Sequence, residues 1–122
     1  MCKLLLSINP EYVDKIFAVI KKYEFRKSQC KRPIDGIIIY CTSPVMKVVG
    51  EASVVGIIVE EPGIMWKEVK ELAGVTKEFY DSYFSGRKNA VAYQLGEIKR
   101  FCKPKDLYEY GVKHAPQSFV YI

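Results

Sequence analysis

The sequence predicts an α+β fold: a small, mixed, partly closed β-barrel of about six strands with helices packed at its rim. Three observations predict it. Strand-like apolar runs recur along most of the chain, at residues 1–8, 34–42, 45–59, 90–101 and 119–122. Helical spacing is confined to one segment after the first strand and two short ones near the middle, so the regular crossover helices of a doubly wound parallel sheet are absent. The longest β-branched run carries Gly50 and Gly56, as a strand does when it bends around a barrel corner. With 122 residues, 49% of them hydrophobic, there is material for one core, and residues 1–122 are expected to form a single domain.

Met1 to Ile8 reads as a first buried strand. Asn9-Pro10-Glu11 then starts a helix, with Asn as N-cap, Pro at the first helical position and Glu in the first turn. Val13, Ile16, Phe17 and Ile20 follow at helical spacing, and the helix is expected to end near Lys21. Residues 23–26 alternate like a strand. Ser28 to Pro33 is an exposed basic loop. Ile34 to Thr42 is almost continuously apolar, which suits a strand buried on both faces, and Ser43-Pro44 breaks it. Val45 to Val59 is the bent strand.

Two short helices come next. One spans about Ile64 to Ala73, with Trp66, Val69 and Leu72 on one side and Gly74 as its stop. The other is capped by Thr76, carries Phe79, Tyr80, Tyr83 and Phe84 as candidate core residues, and stops at Gly86. Ala90 to Phe101 is a further strand whose alternation shifts at Gly96. Lys103 to Leu107 turns into a single helical turn, and Phe119 to Ile122 closes the chain as a strand.

The net charge of +5 and pI near 9.0 suit a polyanionic partner, and equally a basic protein of no special partner. No run approaches the roughly 20 apolar residues that span a bilayer, and the first apolar run is too short for a signal peptide, so the expected compartment is the cytoplasm, with no membrane partner. The four cysteines form no C-x-x-C pair and have only His114 to join them, so neither a metal site nor a cofactor is expected. Cys41, in the most apolar strand, reads as a buried inert thiol rather than a nucleophile.

The densest chemistry lies in Lys21-Lys22-Tyr23-Glu24-Phe25-Arg26. Its polar and aromatic members alternate, which puts Lys22, Glu24 and Arg26 on one strand face. Such a row can grip a flat anionic ligand or can be a solvated face braced by a Glu24–Arg26 pair. This segment resembles the G-x-K-x-x-E-x-R motif of ASCH domains (activating signal cointegrator homology), members of the PUA-like superfamily. Lys21, Glu24 and Arg26 match it, with Val19 where the motif has glycine. Residues 38–44, Gly50-Glu51 and Pro116-Gln117-Ser118-Phe119 resemble further parts of the family, in its bacterial and archaeal single-domain subgroup.

The resemblance implies a barrel with a cleft between barrel and helices that holds RNA or a nucleoside. Lys21, Lys22, Glu24, Arg26, Tyr40, Ser43 and Ser118 are the expected ligand-binding residues. Arg26 offers a planar fork, Lys21 a point charge, and Glu24 an acceptor for an exocyclic amino group. The expected partner is therefore RNA or a nucleoside or nucleotide, in RNA metabolism or regulation. The alternative is enzymatic. Some ASCH proteins are amidohydrolases of acetylcytidine that use a motif lysine, a threonine and a later glutamate, and ribonuclease activity is proposed for others. Lys21 matches the lysine, and Glu24 stands where the threonine would be, so Lys21 and Glu24 are the catalytic candidates; Glu60, Glu61, Glu68 and Glu71 are all open as the late glutamate. A lowered Lys21 pKa would suit a base, and Lys22 is the neighbouring cation expected to lower it. A third reading, from the nine tyrosines, is a protein-docking regulatory module. The basic groups Lys27, Lys31, Arg32 and Arg87, Lys88, Lys99, Arg100, Lys103, Lys105 can track a phosphate backbone if the fold brings them to one face.

Overall fold

The computed structural model describes residues 2–122. Six strands form one mixed sheet in the order β2-β5-β4-β3-β1-β6, where β1 is Cys2–Ile8, β2 Tyr23–Arg26, β3 Ile34–Cys41, β4 Lys47–Glu60, β5 Ala90–Lys105 and β6 Val120–Tyr121. Only β1 and β3 run parallel, and the other four pairings are antiparallel. Three helices, α1 (Pro10–Phe17), α2 (Pro62–Val69) and α3 (Lys77–Tyr83), pack on the curled sheet, giving the expected α+β half-barrel. No helix among the described residues is long and apolar enough to cross a membrane.

The long strands bend where the sequence breaks its own pattern. Between β4 and β5 the register shifts three times, at Val48/Gly50, Ala52/Val54 and Val54/Gly56, bracketing both glycines of β4. At Gly50 a side chain has no room: a Cβ there would lie 2.5 Å from the Lys99 carbonyl oxygen and 2.8 Å from the Phe17 ring. The end of α1 thus sits directly on the bent sheet.

Both faces of the centre are covered, as the continuous apolar runs of β1 and β3 require. Leu4, Leu6, Ile37 and Ile39 face α1 through Val13 and Ile16. Leu5, Ile38, Tyr40 and Val48 face the other way, under Phe101, Leu107, Tyr110 and Val112. A third cluster joins Phe25, Ala90 and Ala92 to Met65, Val69, Tyr80 and Phe84 of α2 and α3. The helix expected over about Ile64 to Ala73 is shorter than its spacing suggests. Helix α2 stops at Val69, a 3-10 turn covers Lys70–Leu72, and Leu72 stays largely exposed.

Helix α1 also ends earlier than its periodicity suggests, at Phe17 rather than near Lys21. The cause is a left-handed residue: Val19 has φ +59°, and the amides of Ile20 and Lys21 both turn back to the Lys15 carbonyl. A β-branched residue is strained there, and glycine is the relaxed choice. This kinked exit carries Lys21 off the helix and under α2 and α3. Strand β5 runs on to Lys105, beyond the expected end at Phe101, and the helical turn follows at Leu107–Tyr110.

Candidate functional site

The sheet does not close by backbone pairing. Its edges are β2 and β6, and the Arg26 side chain crosses the seam. Arg26, at the end of β2, donates from Nη2 to the Ser7 carbonyl of β1 at 2.9 Å and from Nη1 to the Ser118 carbonyl at 3.5 Å. The same Nη2 lies 2.9 Å from Glu24 Oε2. A planar guanidinium suits this work, because its fork can serve three oxygens in one plane. Its buried Nε–H has no partner among the described residues.

Beside this seam Lys21 is 2% exposed and Glu24 7%. Lys21 Nζ donates to the Ala73 carbonyl at 2.9 Å, stands 4.0 Å from Glu24 Oε1, and lies 4.6 Å from the centre of the Phe25 ring. Gly74, with φ +70°, lets the chain after α2 press onto the Lys21 stem; a Cβ at that position would collide with Lys21 Cβ and Cγ. Burial lowers the Lys21 pKa from 10.5 to about 8; Glu24 opposes the shift, and Lys15 and Arg26 reinforce it. The neighbouring cations are therefore Lys15 and Arg26, not the expected Lys22.

These three groups border a cavity of about 160 Å³ between the seam and α3, lined also by Ser7, Asn9, Tyr12, Phe79 and Tyr83. An apolar void of about 150 Å³ holds one benzene ring, so this space matches one six-membered heterocycle. Phe79 and Tyr83 provide an aromatic wall, with ring centres 6.0 Å apart and planes 11° from parallel. Tyr12 is tilted against Phe79 at 5.5 Å.

Of the seven expected binding residues, Lys21, Glu24 and Arg26 border this cavity and four do not. The Lys22 side chain is exposed, and its backbone stitches the fold by donating to Leu72 and accepting from Leu95. Tyr40 is buried on the opposite sheet face, where it fills core beside Leu5, Ile38 and Val48. Ser43 is exposed in the turn after β3. Ser118 reaches the seam by its carbonyl alone. None of Glu60, Glu61, Glu68 and Glu71 lines the cavity, and Glu61 is engaged as the α2 cap, accepting from Gly63 and Ile64.

Phe79, Tyr83, Tyr12, Ser7 and Asn9 are the lining residues that sequence reasoning missed. One signal was present. Phe79/Tyr83 and Tyr80/Phe84 form two i,i+4 stripes, and a single helix face buries only one of them. Tyr80 and Phe84 took the core; Phe79 is 43% exposed.

Fold and site together define a small mixed half-barrel with a polar-floored, aromatic-walled cavity at its open seam. The family model for the ASCH domain matches residues 6–100, and the chain belongs to that family. The crystal structure of ASCH from Zymomonas mobilis superposes with a TM-score of 0.89 at 26% identity, over 98% of this chain and 87% of that one. An ASCH domain-containing ribonuclease of Zymomonas mobilis is 29% identical over 92 residues, covering 75% of this chain and 62% of that protein. The ATP synthase subunit alpha of Ureaplasma parvum is 29% identical over 120 residues, covering 98% of this chain. The chain spans only 15% of that subunit's length.

Proposed function

We propose that this chain is a cytoplasmic single-domain RNA-binding module that seats one base, of RNA or of a modified nucleoside, in the cavity bordered by Lys21, Glu24 and Arg26. The observation that carries the reading is the cluster of buried Lys21 and Glu24 with part-buried Arg26 at the floor of a ring-sized space with two near-parallel aromatic rings on its wall. Lys21, Glu24 and Arg26 hold one another in place at the edge of this space, so their polar atoms are positioned to meet a polar guest. A base edge can add to these bonds: an exocyclic amino group can donate to Glu24, and a ring nitrogen or carbonyl can accept from Lys21 or from the unpartnered Arg26 Nε–H. Stacking on the aromatic wall would add ~1–3 kcal/mol for the base. The name of the Zymomonas mobilis ribonuclease supports an RNA-related role. Titration of a labelled single-stranded RNA and of a nucleoside panel, at low and moderate salt, tests the reading. Folded protein that binds neither rejects it.

A second reading is hydrolysis, and one observation favours it. With a pKa of about 8, Lys21 is about one-tenth neutral at pH 7 and half neutral near pH 8, and the neutral amine is the form that accepts a proton. It would act as base on RNA or on an acylated cytidine. Glu24 replaces the threonine of the amidohydrolases, so it cannot supply their hydroxyl. Incubation with RNA and with acetylcytidine beside Lys21→Met decides: turnover that is lost in the variant and rises with pH toward about 8 supports it, and equal turnover ends it.

A further inference from the structure

The fold splits the basic residues of the sequence into separate groups, and one of them adjoins the cavity. Lys27, which follows β2, meets Arg87 and Lys88, which follow α3, in a groove lined also by Gln29, Asn89 and Val59. Arg87 Nη2 donates to the Lys27 carbonyl at 2.9 Å, which ties the two loops together and leaves the other guanidinium donors free. Lys27 Nζ lies 4.9 Å from the centre of the Tyr83 ring. Tyr83 is a wall of the cavity, so this contact links the groove lysine to the cavity wall. The Tyr83 hydroxyl sits within the field of both Arg26 and Arg87.

The charge balance of the groove is one-sided. No acidic side chain lines it, and none of Lys27, Arg87 and Lys88 has an ion-pair partner among the described residues, whereas Lys3, Lys15, Lys21, Arg26, Lys47 and Lys77 all have one. The remaining cations lie elsewhere. Arg100 covers Phe17, Lys105 covers Phe101, and Arg32 covers Tyr121. The Lys27–Arg87–Lys88 group, by contrast, touches the cavity wall through Tyr83.

We propose that this groove holds the sugar–phosphate backbone of a single-stranded oligonucleotide whose neighbouring base occupies the cavity. Unpaired cations with amide side chains between them match the ionised oxygens and sugar hydroxyls of such a strand. A groove lysine seated on a cavity-wall ring puts a backbone in the groove beside a base at the wall, the arrangement of single-strand binders generally. A duplex does not fit this role, because its bases remain paired and stacked. The proposal deepens the base-binding reading and rests on the same site.

The test compares wild type with Lys27→Gln/Lys88→Gln and, as a charge-matched control, Lys103→Gln/Lys113→Gln, whose exposed positions lie outside the groove. Arg87→Gln is a second groove variant. Each protein, with its fold checked by circular dichroism, is titrated with a labelled single-stranded RNA over a salt series and with free nucleosides. Each lost phosphate contact flattens the log affinity–log salt slope by about 0.7, so the double groove variant loses about 1.4. Between about 50 and 200 mM salt, wild-type affinity then falls roughly sevenfold further than the variant's, and nucleoside binding is unchanged. Equal slopes for groove variant and control overturn the proposal, as does absence of oligonucleotide binding. If wild type binds the oligomer with a groove-dependent slope but no nucleoside, the groove stands and the cavity reading fails. If nucleosides bind and the groove variants behave like the control, the cavity stands and the groove fails.

Discussion

Replacing Lys21 by methionine should stabilise the protein while abolishing ligand binding. Lys21 keeps a pKa of about 8 where an unfolded lysine has 10.5. At 1.36 kcal/mol per pKa unit, holding it charged in the fold costs about 3 kcal/mol at pH 7. Methionine has a similar length, fits above the Phe25 ring and needs no partner. Against that gain stands the Ala73 carbonyl, which loses its donor, a loss of about 1–3 kcal/mol. Glu24 keeps Arg26 at 2.9 Å and is not orphaned. The net change at pH 7 is a stabilisation of about 0–2 kcal/mol.

The pH dependence is the sharper signature. The folded pKa lies below the unfolded one, so between pH 8 and 10.5 the unfolded chain holds the extra proton. Wild-type stability therefore gains about 3 kcal/mol from Lys21 as pH rises through that window, and the variant gains nothing from it. Tyr80 and Tyr93, whose pKa values burial raises, lose stability at high pH equally in both proteins and cancel in the difference. Urea unfolding of both proteins at several pH values from 7 to 10.5 measures it. A difference that stays flat across the window, or a variant that is less stable by several kcal/mol at pH 7, would refute the desolvated-lysine account.

Three further outcomes are expected. Val19→Gly relieves the φ +59° strain at an exposed position and should stabilise by about 1 kcal/mol in urea unfolding, net of the entropy glycine adds to the unfolded chain. Gly74→Ala drives a Cβ into the Lys21 stem at φ +70° and should cost about 2 kcal/mol or more; because Lys21 is displaced, nucleoside affinity should fall with it. Arg26→Lys keeps the charge but cannot span Glu24, Ser7 and Ser118 together, and should lower stability by about 1–3 kcal/mol and RNA affinity more than tenfold, read by thermal unfolding and anisotropy.

The half-barrel was legible because it rests on local patterns: continuous apolar runs in β1 and β3 that must be buried on two faces, and glycines in β4 that must bend it. The charged trio was legible through Lys21, Glu24 and Arg26, although its geometry was not. Alternation places Lys22, Glu24 and Arg26 on one face, and only the left-handed turn at Val19 explains why Lys21 replaces Lys22 beside Glu24. Tyr40 illustrates the opposite limit. A tyrosine in a strand buried on both faces can point either way, and here the phase of β3 sends it with Ile38 into the far core. The doubled aromatic stripe of α3 marks Phe79 and Tyr83 locally, but their meeting with Tyr12 of α1 is a long-range contact with no local imprint.

The most direct test is a backbone-amide NMR titration of the uniformly labelled protein with a cytidine or adenosine nucleoside. Saturable shifts centred on Ser7, Asn9, Tyr12, Glu24, Arg26, Phe79 and Tyr83, and absent in Lys21→Met, are the expected result. Shifts scattered over the far face around Tyr40, or unchanged when Lys21 is replaced, would contradict a base seated at the seam.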